Sequence, residues 1–166
     1  MRTFISNDDI KARIRSLARR ILPKLQDKDV LVLALLKGAA FFCSDLMQEL
    51  NMEDYELEFI KARSYEGEES TGDIQIGEFP DVSQKTILLL DDIIDTGLTL
   101  STLARKLREA GAKEILTAVL LSKPSRRVIP FTPDFVGFEI PDRFVLGYGM
   151  DLDEKFRCMR DIKVKD

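Results

Sequence analysis

Asp91, Asp92 and Asp95 fall close together in Ile87-Leu88-Leu89-Leu90-Asp91-Asp92-Ile93-Ile94-Asp95-Thr96-Gly97-Leu98-Thr99-Leu100, and a Gly/Thr turn follows them at once. Carboxylates suit hydroxyls, a divalent cation or a proton. The turn offers threonine hydroxyls and, where it opens a helix, unpaired amide donors, and these favour an anion such as phosphate. The segment therefore suits a ligand with a phosphate at one end and a polyol or Mg²⁺ beside it. Histidine is absent from the chain. That removes His-based triads, imidazole proton shuttles and most zinc sites, so acid–base work falls to Asp, Glu, Lys, Tyr or Cys.

The elements that must position these groups are legible in the apolar pattern. Ile87 to Leu90 is a continuous apolar run that reads as a strand buried on both faces, with the acids beginning where it leaves the sheet at its carboxyl edge. Ligands of open α/β sheets bind at that edge. Val30 to Leu36 is a second such run, ended by Lys37-Gly38. Ser6-Asn7-Asp8-Asp9 resembles a capping box ahead of Ile10, Ile14, Leu17, Ala18 and Ile21, which share one helical face and predict a helix to about Leu25. Helical spacing recurs in Phe42, Leu46, Met47 and Leu50. It recurs again in Leu100, Leu103, Ala104 and Leu107, a helix ending near Gly111.

Tyr55 to Ile60 alternates like a strand with one wetter face, and Ile115 to Leu121 is a further strand. Between Ala62 and Gly77 the chain turns polar, which predicts a mobile loop, and Asp73 to Ile76 begins a short hairpin arm. After Lys123-Pro124 come short pieces, Phe135-Val136-Gly137-Phe138 and Phe144-Val145-Leu146-Gly147-Tyr148, read as a small β-rich lobe over the sheet edge. Strands alternating with helices predict α/β class: a parallel, doubly wound sheet with helices on both faces.

With 166 residues the chain fits a single domain over 1–166. Net charge is −4 with both signs mixed, which gives no support to a nucleic-acid partner. Cys43 and Cys158 lie far apart and form neither a CxxC pair nor a disulfide framework, so reduced thiols in a cytoplasmic protein are expected. No run approaches a membrane span, and the first residues lack the apolar core of a signal peptide.

Taken together, Asp91-Asp92-Ile93-Ile94-Asp95-Thr96-Gly97, the Leu36-Lys37-Gly38 turn, the Ser64-Tyr65 loop and the tail resemble the type I phosphoribosyltransferases, nearest to their 6-oxopurine branch, the hypoxanthine-guanine phosphoribosyltransferases. Pro133-Asp134-Phe135-Val136-Gly137-Phe138-Glu139-Ile140-Pro141-Asp142 and Phe144 to Asp151 resemble the purine-recognising lobe, and this match separates the branch from its relatives. The resemblance covers nearly the whole chain, and several motifs in order are more specific than one. It implies a type I phosphoribosyltransferase fold whose hood lobe is formed mainly by about 124–166 with the N-terminal segment. The activity it implies is transfer of the phosphoribosyl group of 5-phosphoribosyl-1-pyrophosphate (PRPP) to N9 of hypoxanthine or guanine, with Mg²⁺, giving IMP or GMP and pyrophosphate.

By the same resemblance, Asp95, Thr96, Gly97, Leu98 and Thr99 would wrap the 5′-phosphate, Asp91 and Asp92 would face the ribose hydroxyls directly or through Mg²⁺, and Asp95 would be the general acid–base near purine N7. Leu36, Lys37 and Gly38, with a cis peptide, and Arg157 would contact pyrophosphate; Ser64 and Tyr65 would close as a lid; Asp151 would be a Mg²⁺ ligand on the purine side. Lys123 would donate to purine O6, Phe144 would stack on the ring and Val145 would offer backbone contacts. The sequence departs from the family where Asp91 often is Glu or Val, and where Leu98 lacks the cation some members carry. A homodimer or homotetramer is implied. Read singly, the same residues suit plainer roles: Asp91 and Asp92 a solvated strand end, Asp95 a helix N-cap, Leu36-Lys37-Gly38 an ordinary turn, Ser64-Tyr65 an exposed loop and Phe144 a core residue.

Overall fold

The computed structural model describes residues 1–64 and 74–165. In chain order the elements are β1 (Arg2–Ile5), α1 (Asn7–Leu25), β2 (Val30–Leu36), α2 (Ala40–Leu50), β3 (Glu56–Ser64), β4 (Ile74–Ile76), β5 (Thr86–Ile94), α3 (Leu98–Glu109), β6 (Glu114–Ser122), β7 (Phe135–Glu139), β8 (Val145–Leu146) and β9 (Ile162–Val164), with a 3-10 turn at Pro124–Arg126. Six strands form one sheet in the order β4-β3-β2-β5-β6-β7. All neighbours in it are parallel except the β3–β4 hairpin. A second, antiparallel sheet has the order β1-β9-β8 and joins the N-terminal segment to the tail.

The apolar runs become central strands because both of their faces are covered. Along β2, Val30, Val32 and Ala34 pack with Ile14, Leu17 and Phe42 of α1 and α2, whereas Leu31, Leu33 and Leu35 pack with Leu100, Leu103 and Leu107 of α3. Helices therefore lie on both faces, as the alternation requires. Ser6 caps α1 as the sequence predicts: its hydroxyl accepts from the Asp9 amide (3.2 Å) and donates to the Asp9 carboxylate (2.6 Å). At the far end of α3, the Gly111 amide bonds the Arg108 carbonyl and the Ala112 amide that of Leu107, which closes the helix where expected.

Three expectations need correction. Strand β5 does not stop at the acids; it runs through Asp91 and Asp92 to Ile94, because its pairing with β6 continues to Ile94↔Ser122 after the pairing with β2 has ended at Ala34↔Leu90. Phe135 to Phe138 belongs not to the small lobe but to the main sheet, as its outer parallel strand β7. Strand β3 reaches Ser64, beyond the last apolar residue, held by the pairs Ala62↔Ile76 and Ser64↔Ile74 rather than by burial. Its first half is wetter than alternation suggests, with Leu57 and Phe59 exposed beside Glu56 and Glu58. Tyr65 and the rest of the expected lid loop to residue 73 lie outside the described residues, and of Ser64 only the backbone is described.

Candidate active site

Strand order sets where a site can form. From β2 the chain passes through α2 to β3 on one side, and from β5 through α3 to β6 on the other, so the sheet switches direction between β2 and β5. The crevice at such a switch point is where ligands bind. Here β2 gives way at Leu36 to Lys37-Gly38, beside the acid-bearing last residues of β5, Asp91 to Ile94.

The carboxylates curl back onto their own strand. The Asp92 amide donates to Asp91 Oδ1 and the Ile93 amide to Asp92 Oδ1, both at 2.9 Å. Desolvation holds both carboxyls above the usual carboxylate range, most strongly Asp91, where the neighbouring Asp92 charge adds to it. For Asp92 the bond with Asp91, the Ile93 amide and the Arg157 charge oppose the rise. Across the crevice the Leu36–Lys37 peptide bond is cis, as the resemblance implies. Gly38 packs so tightly on Asp92 that a Cβ there would lie 2.1 Å from Oδ2, so no larger residue fits without displacing that carboxylate.

Arg157 completes this part of the site from the tail. Its Nη1 donates to the Gly149 carbonyl (2.8 Å), and its Nη2 lies 3.1 Å from Asp151 Oδ1 and 3.3 Å from Glu154 Oε2. Its Nε is buried and among the described residues has no hydrogen-bond partner, a donor open to an acceptor that a ligand could bring. Leu36, Gly38, Asp91, Asp92, Thr99, Asp151 and Arg157 line one cavity of about 260 Å³. A second, of about 330 Å³, adjoins it at Leu36 and Arg157 and is ringed by Lys37, Lys61, Arg63 and Glu154. The Lys37 ammonium is bonded to Glu154 (2.6 Å).

The phosphate-type turn follows. Gly97 caps α3 at φ +86°, a left-handed conformation that glycine adopts without penalty, and as the N-cap residue it offers no side-chain acceptor. Thr96 Oγ1 accepts from the Leu98 amide (3.3 Å), so one of the expected free donors is used within the turn. Asp91, Asp95, Thr96, Gly97 and Thr99 line a small cavity of about 100 Å³ that shares Asp91 and Thr99 with the first. Arg127 buttresses the turn from behind, donating to the Asp95 carbonyl (2.6 Å) and the Ser122 hydroxyl (2.9 Å).

The expected purine-side residues are joined through charge. The Lys123 amide donates to the Ile94 carbonyl (3.0 Å), which ties the end of β6 to the end of β5, and its ammonium is buried 3.9 Å from Asp142 Oδ1. Asp142 Oδ2 lies 3.8 Å from Arg126, whose Nε donates to Asp95 Oδ1 (2.9 Å). Phe144 is half exposed, whereas the Val145 side chain is buried in the core and its strand pairs with Val164. A larger cavity, about 600 Å³, lies at the opposite edge of the sheet, between Asp27–Val30 and Met52–Glu56, away from every group above.

Residues 5–153 match the phosphoribosyl transferase domain family. The hypoxanthine-guanine phosphoribosyltransferase of Homo sapiens is 37% identical over 98% of this chain and 80% of that protein. The chain belongs to the hypoxanthine-guanine phosphoribosyltransferase family. Among solved structures, a hypoxanthine phosphoribosyltransferase from Staphylococcus aureus superposes with a TM-score of 0.94 at 31% identity, covering 100% of this chain and 91% of that one. A hypoxanthine-guanine phosphoribosyltransferase from Bacillus anthracis, with a HEPES molecule in its active site, gives 0.93 at 33% identity, covering 100% and 99%. The six-stranded, mostly parallel sheet with its small antiparallel companion is thus the type I phosphoribosyltransferase fold.

In this phosphoribosyltransferase, sequence reasoning missed Arg126, Arg127, Asp142, Lys61 and Arg63. Lys61 and Arg63 could have been found as cations on one face of a strand leading into the expected lid. The Arg126-Arg127 pair follows Lys123-Pro124 closely enough to have raised the question. Among the described residues no helix is long and apolar enough to cross a membrane.

Proposed function

We propose that this chain transfers the 5-phosphoribosyl group of PRPP to N9 of hypoxanthine or guanine, forming IMP or GMP and pyrophosphate in the cytoplasm. One observation carries the reading: the cis turn of β2, the acids of β5, the first residues of α3 and the tail residues Asp151 and Arg157 converge on adjoining cavities at the switch point. In this reading the amides and hydroxyls of Asp95, Thr96, Gly97, Leu98 and Thr99 take the 5′-phosphate at the positive end of the helix. Leu36, Lys37, Gly38 and Arg157 take the pyrophosphate, with the unpaired Arg157 Nε as one donor. Asp91 and Asp92 hold the ribose hydroxyls and stabilise the positive charge that builds on the ring as the C1–pyrophosphate bond breaks.

Asp95 takes the purine N7 proton as N9 attacks C1. Lys123 donates to O6 and so selects oxo over amino substituents; Phe144 stacks on the base and Val145 offers its backbone. Ser64 and Tyr65 close over the centre to keep water from the oxocarbenium-like transition state. The hard oxygens of Asp91, Asp92 and Asp151 fit Mg²⁺. No group of three or more metal-ligating side chains occurs among the described residues. When bound, Mg²⁺ would neutralise diphosphate charge. A homodimer or homotetramer is part of the proposal, and the exposed Phe41, Leu57 and Phe59 supply apolar surface for it.

The test is a PRPP- and Mg²⁺-dependent assay with hypoxanthine, guanine, xanthine, adenine and uracil offered separately. Nucleotide from hypoxanthine or guanine is expected. Product from neither would overturn the reading.

A further inference from the structure

Asp95, the proposed acid–base, does not stand alone at the end of β5. Its Oδ1 accepts from Arg126 Nε at 2.9 Å, and among the described residues Oδ2 has no hydrogen-bond partner. Arg126 is held in turn: its Nη1 lies 3.8 Å from Asp142 Oδ2, while Asp142 Oδ1 lies 3.9 Å from the buried ammonium of Lys123. A row of alternating charges, Asp95–Arg126–Asp142–Lys123, therefore runs between the two side chains assigned to opposite edges of the purine. The short 3-10 turn Pro124–Arg126 makes the geometry possible, because it folds the chain back within three residues of Lys123 and brings the guanidinium over the end of β5.

We propose that Arg126 is a positioning residue for this reaction: it occupies one oxygen of Asp95 from the solvent side and aims the other at the base, in register with Lys123. The inference rests on the acid–base reading of Asp95. A carboxylate free to rotate about its Cβ–Cγ bond would present its basic lone pair to N7 only part of the time, and a guanidinium N–H on one oxygen removes that freedom. Both partners are partly exposed, with side-chain exposures of 49% and 40%, so the effect is that of a half-solvated pair and not of a buried one.

The experiment is steady-state kinetics of Arg126→Gln, Arg126→Lys, Asp95→Asn and the Arg126→Gln/Asp95→Asn double variant, with PRPP varied at saturating hypoxanthine or guanine. Arg126→Gln should lower kcat about fivefold with KM for PRPP unchanged, a size set by half-exposed ion pairs. Arg126→Lys should recover most of that loss, since its charge still reaches Asp95. In the Asp95→Asn background Arg126→Gln should cost nothing further, because it acts through Asp95. Wild-type kcat in Arg126→Gln beside a slow Asp95→Asn overturns this inference alone, as does the same fivefold loss in both backgrounds. Wild-type turnover in Asp95→Asn overturns the acid–base reading and this inference with it.

Discussion

Gly38→Ala should disable the enzyme while leaving it folded. A Cβ at residue 38 would lie 2.1 Å from Asp92 Oδ2, 2.6 Å from Cγ and 2.9 Å from Oδ1. An ordinary carbon–oxygen contact is roughly 3.3 Å, so the methyl intrudes by about 1.2 Å on a single carboxylate. Either Asp92 swings away, breaking its bond from the Ile93 amide, or the Leu36–Gly38 turn retreats from the crevice. Both moves displace a ribose-facing or pyrophosphate-facing group by on the order of 1 Å, which typically costs about 10²-fold in rate, or about 2.7 kcal/mol of transition-state stabilisation. The fold loses less. Losing the Ile93 amide bond costs about 1–2 kcal/mol at a partly solvated position, a few degrees in Tm for a chain of this size. The assay is kcat/KM for PRPP with hypoxanthine, alongside a thermal melt, in the wild-type and Asp92→Ala backgrounds. Removing the Asp92 side chain removes the clash, so Gly38→Ala should cost much less there. Wild-type kinetics in Gly38→Ala, or an equal loss in both backgrounds, would refute the reasoning.

Asp95→Asn should lower turnover by about 10²–10⁴-fold with much less effect on PRPP affinity, measured by kcat and KM; an unchanged kcat would contradict the acid–base role. Lys123→Ala should raise KM for hypoxanthine and guanine by about tenfold or more, since the purine O6 then faces a site without its donor, and unaltered purine KM would contradict the O6 contact. Alkaline pH should unfold the protein progressively. Burial pushes the Cys43 thiol up to about 11, and burial with the Asp45 carboxylate raises the Tyr148 phenol well above its usual range. Above about pH 9 the unfolded chain therefore binds fewer protons than the folded one, so the stability Cys43 contributes is whole below pH 9 and lost as pH rises through 11, and Tyr148 begins to add to the loss above its ordinary value of 10. Denaturant midpoints measured from pH 8 to pH 11 should fall, and Cys43→Ala should flatten part of the decline; a level profile would falsify the assignment.

The sequence made the centre of the fold legible and left its margins hidden, for a physical reason. Val30–Leu36 and Ile87–Leu90 are buried on both faces, so their composition alone declares them, and the chemistry follows because strand ends at a switch point face one crevice. Phe135–Glu139 escaped because an edge strand carries a weaker pattern. What seats it in the main sheet is long-range: its pairing with β6, and the Arg20 and Arg13 guanidiniums over the Phe135 and Phe138 rings. Arg126 and Asp142 escaped because a long cation's partner is decided by tertiary geometry, and nothing local in Lys123-Pro124-Ser125-Arg126 says which carboxylate it will reach.

The unexpected continuation of β5 has the larger consequence. Had the strand ended at Leu90, Asp91 and Asp92 would sit on a loop free to turn to water, and nothing would hold them against their mutual repulsion. Because Asp91 still pairs with Val119 and Ile93 with Leu121, the acids are carried on a strand fixed on one side and open on the other, where β2 has already turned away. The same one-sided pairing explains their chemistry. Burial raises both carboxyls, with Gly38 packed on Asp92, and the open side gives polyol hydroxyls or a hard cation a path to them. A site that fixes carboxylates on a rigid element and leaves one face to the ligand has already met much of the positioning cost before substrate arrives, and β5 does this by pairing with β6 as far as Ile94, beyond Leu90 where its pairing with β2 ends.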